Sequence, residues 1–149
     1  GSILTNTNLT GINLTGANLI SVDLSGMDLT GAILRGTDLT NTNLTGINLT
    51  GANLVSVDLS GMDLTGAILR GTNFTNANLT GTNLTGAKLV SVDLSGMDLT
   101  GAILRGTDLN TVDLTEAILT DANLENAVIS NVNLTDAILN CSNHPICVN

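Results

Sequence analysis

A leucine recurs at every fifth residue along almost the whole chain. From residue 4 to residue 139 a step of five gives 28 positions, and all of them hold Leu except Phe74 and Ile129. An α-helix would advance about 500° over five residues and scatter the leucines around its surface, whereas a strand would send them alternately to its two faces. The spacing therefore predicts a chain that turns a corner about every five residues, with Leu pointing inward each time.

The residues around each leucine repeat as well. With Leu at position i, position i−2 is small or apolar, position i−1 is mostly Asn or Asp, and position i+1 is mostly Thr or Ser. Position i+2 holds 15 of the 16 glycines. Because the third residue of a type II turn needs a positive φ, which suits Gly, we predict type II corners up to Gly106. We expect several later corners to depart from type II, since their i+2 residues are Thr111, Glu116, Asp121, Asn126, Asn131 and Asp136.

Segments such as Ala17-Asn18-Leu19 and Ala52-Asn53-Leu54 match the pattern A(D/N)LXX. Over residues 3–140 the chain resembles the pentapeptide-repeat family, in particular its long cyanobacterial members. The resemblance implies an all-β fold, a right-handed quadrilateral parallel β-helix with four repeats per coil and with positions i and i−2 inside. Twenty-eight repeats then make about seven coils, which at ~4.8 Å per coil form a rod ~34 Å long.

The two ends of the chain differ from the repeats. Residues 1–2, Gly-Ser, are expected to be a cloning remnant, residues 3–140 form the β-helix, and residues 141–149 form a tail that covers the last coil. No cap precedes the first repeat, although a solenoid needs its open ends covered. We therefore expect a domain of a longer protein, which is a monomer or a weak end-to-end dimer.

The tail contains two cysteines and the one histidine of the chain. Cys141 and Cys147 are separated by five residues, and His144 lies between them. We expect a disulfide in this short loop, which would indicate an oxidising compartment such as the bacterial envelope. Two free thiols are the alternative. A metal site of both cysteines and His144 is a third interpretation, but it lacks a fourth ligand and the usual zinc spacing.

A longer period of seven repeats overlies the repeat of five. Residues 6–40, 41–75 and 76–110 are near-copies, and each contains the segment VDLSGMDLTGAILRGT. Seven repeats are 1.75 coils, so equivalent residues such as Arg35, Arg70 and Arg105 should lie on different faces. Duplication of the segment accounts for the copies without selection for a spiral binding path.

Residues 20 apart should stack in neighbouring coils. This register predicts surface ion pairs between Lys88 and Asp108 and between Arg105 and Glu125. Ile118 should stack on Ile138 and form a contact patch, unless the two are ordinary exposed apolar surface. The register also stacks acids, Asp38 on Asp58 and Asp93 on Asp113, as solvated carboxylates or as weak cation sites.

The composition excludes several classes of function. Acidic residues outnumber basic ones 13 to 4, which disfavours nucleic-acid binding by phosphate neutralisation. Apolar runs never exceed three residues, too few to span a bilayer. With the one His in the tail, we find no catalytic constellation and no site for a cofactor or a metal. We therefore expect a protein that is not an enzyme.

The hypothesis that remains is a non-catalytic scaffold or a domain that binds an unknown protein partner. Resemblance to cyanobacterial members suggests a larger bacterial protein with a membrane-attached or envelope context. The alternative, also implied by the family, is a DNA mimic that modulates DNA gyrase or another topoisomerase. B-DNA carries one charge per ~1.7 Å, about 20 over such a rod, whereas this chain carries a net charge of −9. Ice binding by threonine ladders is a third hypothesis, weakened by Ile20, Val55 and Val90 within those ladders.

Overall fold

The computed structural model describes residues 8–147 as a continuous solenoid of corners and single-residue parallel β-bridges. These residues form no helix and no strand longer than one residue. Residues 1–7, including the expected cloning remnant, and residues 148–149 lie outside the described part. Among the described residues there is accordingly no helix that could cross a membrane.

The corners share one hydrogen bond. The amide of residue i+3 donates to the carbonyl oxygen of the leucine, as from Ile12 to Leu9 at 3.1 Å and from Ala137 to Leu134 at 3.1 Å. The third residue of each corner from residue 11 to residue 136 has a positive φ, between 56° and 69°. The corner at 129–132 keeps this φ at Asn131 but lacks the closing bond. A positive φ at the third residue together with the closing bond is the geometry of a type II turn.

The expectation that several later corners depart from type II is wrong: among the described corners after Gly106, only the one at 129–132 lacks the closing bond. The six residues that follow Gly106 at position i+2 have φ values of 56–60°, close to those of the glycines. The bonds around them explain why: the amide of Glu116 donates to Thr135 O at 2.8 Å, and the amide of Ala117 donates to Leu114 O at 3.0 Å. These bonds hold the corner in place, so a residue with a side chain must adopt the left-handed conformation at a cost in free energy.

The register between coils is four repeats. Parallel bridges join residues at position i−1 to the equivalent residue one coil later, for example Asn13 to Ile33 and Asp108 to Val128. One coil therefore has four walls, and the chain is a right-handed quadrilateral β-helix. The number of about seven coils stays a prediction.

The interior is a column of stacked leucines flanked by smaller side chains. From Leu24 to Leu124 every residue at position i is at most 2% exposed, including Phe74. Alanines at position i−2, such as Ala52 and Ala87, are fully buried beside them. The three methionines at this position, by contrast, pack on the core but stay partly exposed: Met27, Met62 and Met97. Burial of a leucine side chain contributes about 1.5–3 kcal/mol, so the column stabilises the solenoid without a globular core.

The C-terminal tail continues the solenoid in a shortened register. Ser142 bridges to Asn123, so the step between coils is one residue shorter here than in the repeats. The Ser142 amide donates to Ala122 O at 2.9 Å, and the Leu124 amide donates to Ser142 O at 3.1 Å. The tail therefore lies against the last coil, with Cys141 buried in the core.

Candidate interaction surface

At most corners with Asn or Asp at position i−1, its side chain accepts hydrogen bonds from the residue at position i+1. Asp38 Oδ1 accepts the backbone N–H of Thr40 at 3.0 Å and its hydroxyl at 2.6 Å. Asn48 accepts the same two groups from Thr50 at 3.1 and 2.7 Å. This local bonding explains why Asn or Asp stands before the leucine and Thr or Ser after it. The outer polar groups are thus largely engaged within their own corner.

The same bonds stabilise the ionised carboxylates. The Thr40 hydroxyl, with the Thr40 backbone N–H, holds the pKa of Asp38 below its usual value. A neighbouring hydroxyl is also the main cause of a lowered pKa at Asp23, Asp28, Asp98 and Asp113. At Asp58 the backbone N–H of Ser60 contributes most to the lowered pKa. These carboxylates are charged at neutral pH, and the walls are correspondingly negative.

The negative charge is dispersed over the walls. One wall, which we call the B wall, carries at position i−1 the column Asn18, Asp38, Asp58, Asn78, Asp98, Ile118 and Ile138. Neutral residues interrupt the acids of this column, and each of the other walls is a mixture as well. The register of four repeats places Arg35, Arg70 and Arg105 at three different corners of the coil. No wall of the described residues presents an unbroken line of carboxylates.

Ile118 and Ile138 form an apolar patch on the B wall. A parallel bridge joins the two residues directly, Ile138 is 46% exposed, and Ile118 is half-buried. Other exposed isoleucines at position i−1, Ile33 and Ile103, lie between asparagines of the coils above and below. Within residues 8–147, this isoleucine patch is the one place where two aliphatic residues stack at position i−1. The two residues are brought together as the register predicts.

The structure forms one of the two expected ion pairs. Arg105 Nε lies 3.1 Å from Glu125 Oε2, with both side chains about half exposed. Lys88 and Asp108 are joined by a backbone bridge, but their charged groups form no ion pair. Asp108 Oδ1 instead accepts the backbone N–H of Asn110 at 3.2 Å. An exposed lysine gains too little from such a pair to offset the side-chain entropy that it would lose.

The two acid pairs differ from each other. Asp93 and Asp113 are joined by a parallel bridge, whereas no bridge joins Asp38 to Asp58. Within residues 8–147, no group of three or more His, Cys, Asp or Glu residues could hold a metal ion.

The structure joins Cys141 and Cys147 in a disulfide, with 5.0 Å between their Cα atoms. The two sulfur atoms are thus bonded to each other, and neither cysteine carries a free thiol. His144 lies in the turn that the disulfide closes: its carbonyl accepts the Cys147 amide at 3.0 Å, and its Nδ1 accepts the Ile146 amide at 3.3 Å. The imidazole therefore supports the turn.

Two clefts between coils are features that the sequence reasoning missed. The first, of about 820 Å³, lies between residues 36–43 and residues 56–63. The second, of about 840 Å³, lies between residues 71–77 and residues 91–98. The only sequence signal for them is a large side chain, Met62 or Met97, at the interior position i−2.

Comparison with known proteins agrees with this architecture. The family model described as pentapeptide repeats matches residues 4–36, 32–71, 67–106, 94–131 and 107–143. No curated protein sequence matches the chain.

Solved structures of repeat proteins are similar as well. Full-length QnrB1, a plasmid-mediated fluoroquinolone resistance protein, is 20% identical over 88% of this chain and 80% of its own, with a TM-score of 0.53. HetL of the cyanobacterium Nostoc is 25% identical over 91% of this chain and 90% of its own, with a TM-score of 0.29. A protein of the Arabidopsis thaliana thylakoid lumen is 33% identical over 66% of each chain, with a TM-score of 0.32.

The likeness to QnrB1 is one of fold alone. The family model, in contrast, covers nearly all of the repeats, and the corners, the register of four repeats and the buried leucine column are what those repeats require. The chain belongs to the pentapeptide-repeat family.

Proposed function

We propose that this chain is a non-catalytic scaffold domain that binds another protein through the isoleucine patch, Ile118 and Ile138. The observation that carries the proposal is their stacking on a wall whose other i−1 residues are Asn and Asp. Exposed aliphatic side chains lose contact with water when a partner covers them, and a polar rim gives such a contact its specificity. The solenoid holds both side chains in place, so little conformational entropy is lost on binding.

The distribution of charge supports the scaffold over the DNA mimic. A mimic must present rows of negative charge at the spacing of phosphates, about one per 1.7 Å along the duplex axis. On the B wall the series of Asp38, Asp58 and Asp98 is broken by an asparagine and ends at the isoleucine patch. The similarity to QnrB1 concerns the fold and lends this alternative no further support.

The proposal is tested by comparing two double variants as bait in lysate of the source organism. Ile118→Thr/Ile138→Thr removes the patch, and Thr is tolerated on a β-wall. Ile33→Thr/Ile103→Thr removes two exposed isoleucines at the same position of other walls. We expect a protein that binds the wild-type chain and the second variant but not the first. Retention by both variants, or capture of no protein that the wild type enriches, would overturn the proposal.

The DNA-mimic alternative has its own assay. Purified chain is added to DNA gyrase in a supercoiling reaction, with and without a fluoroquinolone. The scaffold hypothesis predicts no change in supercoiling at micromolar concentrations of the chain. Inhibition, or protection from the drug, would replace the scaffold by the mimic.

We also propose that the protein resides in an oxidising compartment, such as the bacterial envelope. The Cys141–Cys147 disulfide supports this, because such bonds persist mainly outside the reducing cytosol. Rapid alkylation of intact cells, followed by mass spectrometry of the tail peptide, tests it. Full alkylation of both thiols without prior reduction would contradict the proposal.

A further inference from the structure

The walls of the solenoid are held by a regular set of backbone bonds between coils. At positions i and i+2 the amide donates to the carbonyl just before its equivalent in the next coil, as from Leu19 to Asp38 at 2.8 Å and from Ser21 to Thr40 at 2.9 Å. At position i−1 the amide donates to the carbonyl just before its equivalent in the preceding coil, as from Asp38 to Ala17 at 2.9 Å. Each such bond contributes about 0.5–1.5 kcal/mol to stability.

This set is interrupted at the first cleft, which we call the first seam. Five amides have no backbone acceptor there, although their equivalents one coil earlier all do: Leu39, Asn41, Leu44, Asp58 and Asp63. The bonds resume on either side of the seam, from Gly36 to Val55 O at 3.1 Å and from Gly46 to Thr65 O at 2.8 Å.

The interruption recurs one long repeat later at the second cleft, the second seam. The unbonded amides are those of the five equivalent residues and of one glycine: Phe74, Asn76, Leu79, Asp93, Asp98 and Gly71. The same donors are therefore free at both copies of the longer repeat. The first seam lies on the B wall and the next wall along the chain, and the second lies on the B wall and the preceding one.

The third copy supplies a control within the same chain. Residues 106–115, which include the end of the third copy, are equivalent to residues 36–43 and 71–77, which form the earlier coil of each seam. The coil that packs on residues 106–115 has a different sequence from the later coil of either seam. There the bonds are intact, from Leu109 to Val128 O at 3.0 Å, from Thr111 to Ser130 O at 3.1 Å and from Leu114 to Asn133 O at 2.9 Å. Both seams thus lie beneath the covering segment VDLSGMDL, at residues 57–64 and 92–99, and the end of the third copy, which has no seam, lies beneath a different sequence.

The methionine of the covering segment explains the separation. Met62 points inward above Thr42, and Met97 points inward above Ala77, whereas in the third copy the smaller Val132 lies above Val112. A methionine needs more room than the interior offers at position i−2, so the coil below it is kept at a distance. The leucine column stays closed, since Leu39 is 2% exposed and Leu59 fully buried. Each seam is therefore an opening of the polar wall only.

We propose that the two seams are built-in points of bending that divide the rod into three stiff blocks. At a seam the coils can tilt apart without breaking a wall bond, whereas elsewhere the same tilt would break about five. Because both seams include the B wall, bending at either seam changes the direction in which that wall runs along the rod. This inference concerns the mechanics of the rod and does not depend on the isoleucine patch.

Amide hydrogen exchange by NMR on the whole chain tests the proposal. We expect at least about tenfold lower protection at Leu39 and Leu44 of the first seam than at Leu109 and Leu114 of the third copy. Equal protection at the two sets would overturn the proposal. The comparison is made within one molecule and needs no variant.

A variant tests the cause. Met62→Ala should increase the protection of Leu44 and Asp63 and leave that of Leu79 unchanged, since the second seam keeps Met97. Met97→Ala is the reciprocal variant: it should increase the protection of Leu79 and Asp98 and leave that of Leu44 unchanged, since the first seam keeps Met62. Increased protection at both seams, or at neither, would show that the methionine does not hold the wall open.

Distances between spin labels test the bending itself. Labels at residues 40 and 80 lie on one corner of the rod, with the first seam between them. Labels at residues 30 and 70 lie on the opposite corner, where the wall bonds from Gly31 to Thr50 O and from Gly51 to Arg70 O are intact. We expect a broader distance distribution for the first pair. Equal widths would show that the rod is no more flexible at the seam than elsewhere.

Discussion

Thr82 Oγ1 lies inside the solenoid and donates a hydrogen bond to the carbonyl oxygen of Leu59, 2.9 Å away in the preceding coil. Thr37, Thr42 and Thr72 donate in the same way to leucine carbonyls of the preceding coil. Threonine at the interior position i−2 thus replaces a small apolar residue by a link between coils. Its hydroxyl is buried without being left unpaired.

Replacement of this hydroxyl should weaken the solenoid by a modest amount. Thr82→Val removes the donor, but Leu59 O still accepts the Met62 amide at 3.0 Å, so no buried acceptor is orphaned. We expect the free energy of unfolding in urea to fall by about 1 kcal/mol. Thr82→Ser keeps the hydroxyl and is the matched control for the bond. A Val variant as stable as the wild type would show that the link contributes nothing.

The late corners offer sites where glycine should stabilise the fold. Glu116 has a φ of 58°, a conformation that costs a residue with a side chain about 1–2 kcal/mol. Glu116→Gly should relieve this cost, offset in part by the greater freedom of glycine in the unfolded chain. We expect a net gain of about 0.5–1 kcal/mol in urea unfolding.

Asn126→Gly is the matched control for this corner. Asn126 has the same φ of 58°, but asparagine adopts this conformation more readily than glutamate. Its replacement should therefore gain little or nothing. Equal gains at both positions would mean that strain depends on the corner and not on the residue that occupies it.

The corners and the core followed from the leucine interval because they depend on properties that every repeat shares. Ala52 is buried and Gly66 is left-handed for the same reason as their equivalents elsewhere. The seams depend instead on what differs between stacked residues of neighbouring coils, such as Met62 above Thr42, and a period of five treats these positions as equivalent. The expectation that residues at position i−2 lie inside was accordingly right only in part for the three methionines, since they stay partly exposed.

For the surface, the sequence predicted which residues stack in neighbouring coils better than it predicted which of their side chains touch. Ile118 and Ile138 stack as expected because the backbone alone brings them together. Lys88 and Asp108 are equally close in register, but the direction of their side chains depends on solvation and on competing bonds. The left-handed φ of the corners after Gly106 was missed because local propensity was given more weight than the bonds between coils.

Acid should destabilise the fold through the corner carboxylates. The Thr40 hydroxyl and backbone N–H hold the folded-state pKa of Asp38 below its ordinary value of 3.8. The resulting stabilisation is present above the unfolded-state pKa and is lost as the pH falls through the lower folded-state value. Asp38→Asn should accept the same bonds at every pH, as Asn48 does from Thr50.

Urea unfolding at pH 7 and again at about pH 2 measures this effect. We expect Asp38→Asn to lose less stability on acidification than the wild type. Glu116→Gln is the control for net charge, because it removes one carboxylate that accepts no hydrogen bond from the described residues. If both variants lose less stability by the same amount, charge repulsion and not the corner bond is responsible.

Reduction of the disulfide should loosen the C-terminal coil before the rest of the rod. The Cys141–Cys147 loop is short, and constraining such a loop contributes about 2 kcal/mol in the chain-entropy model. Because coils contact only their neighbours, the loss should be local. After reduction with dithiothreitol we expect faster hydrogen exchange at Leu124 and Ser142, whose amides bond across the last interface. Exchange at Leu64 and Leu69, several coils away, should stay unchanged.

Cys147→Ser should reproduce the reduced state, whereas Cys141→Ser should cost more because it also places a polar group in the core. A uniform increase in exchange along the whole chain would show that the tail and the rod unfold as one unit.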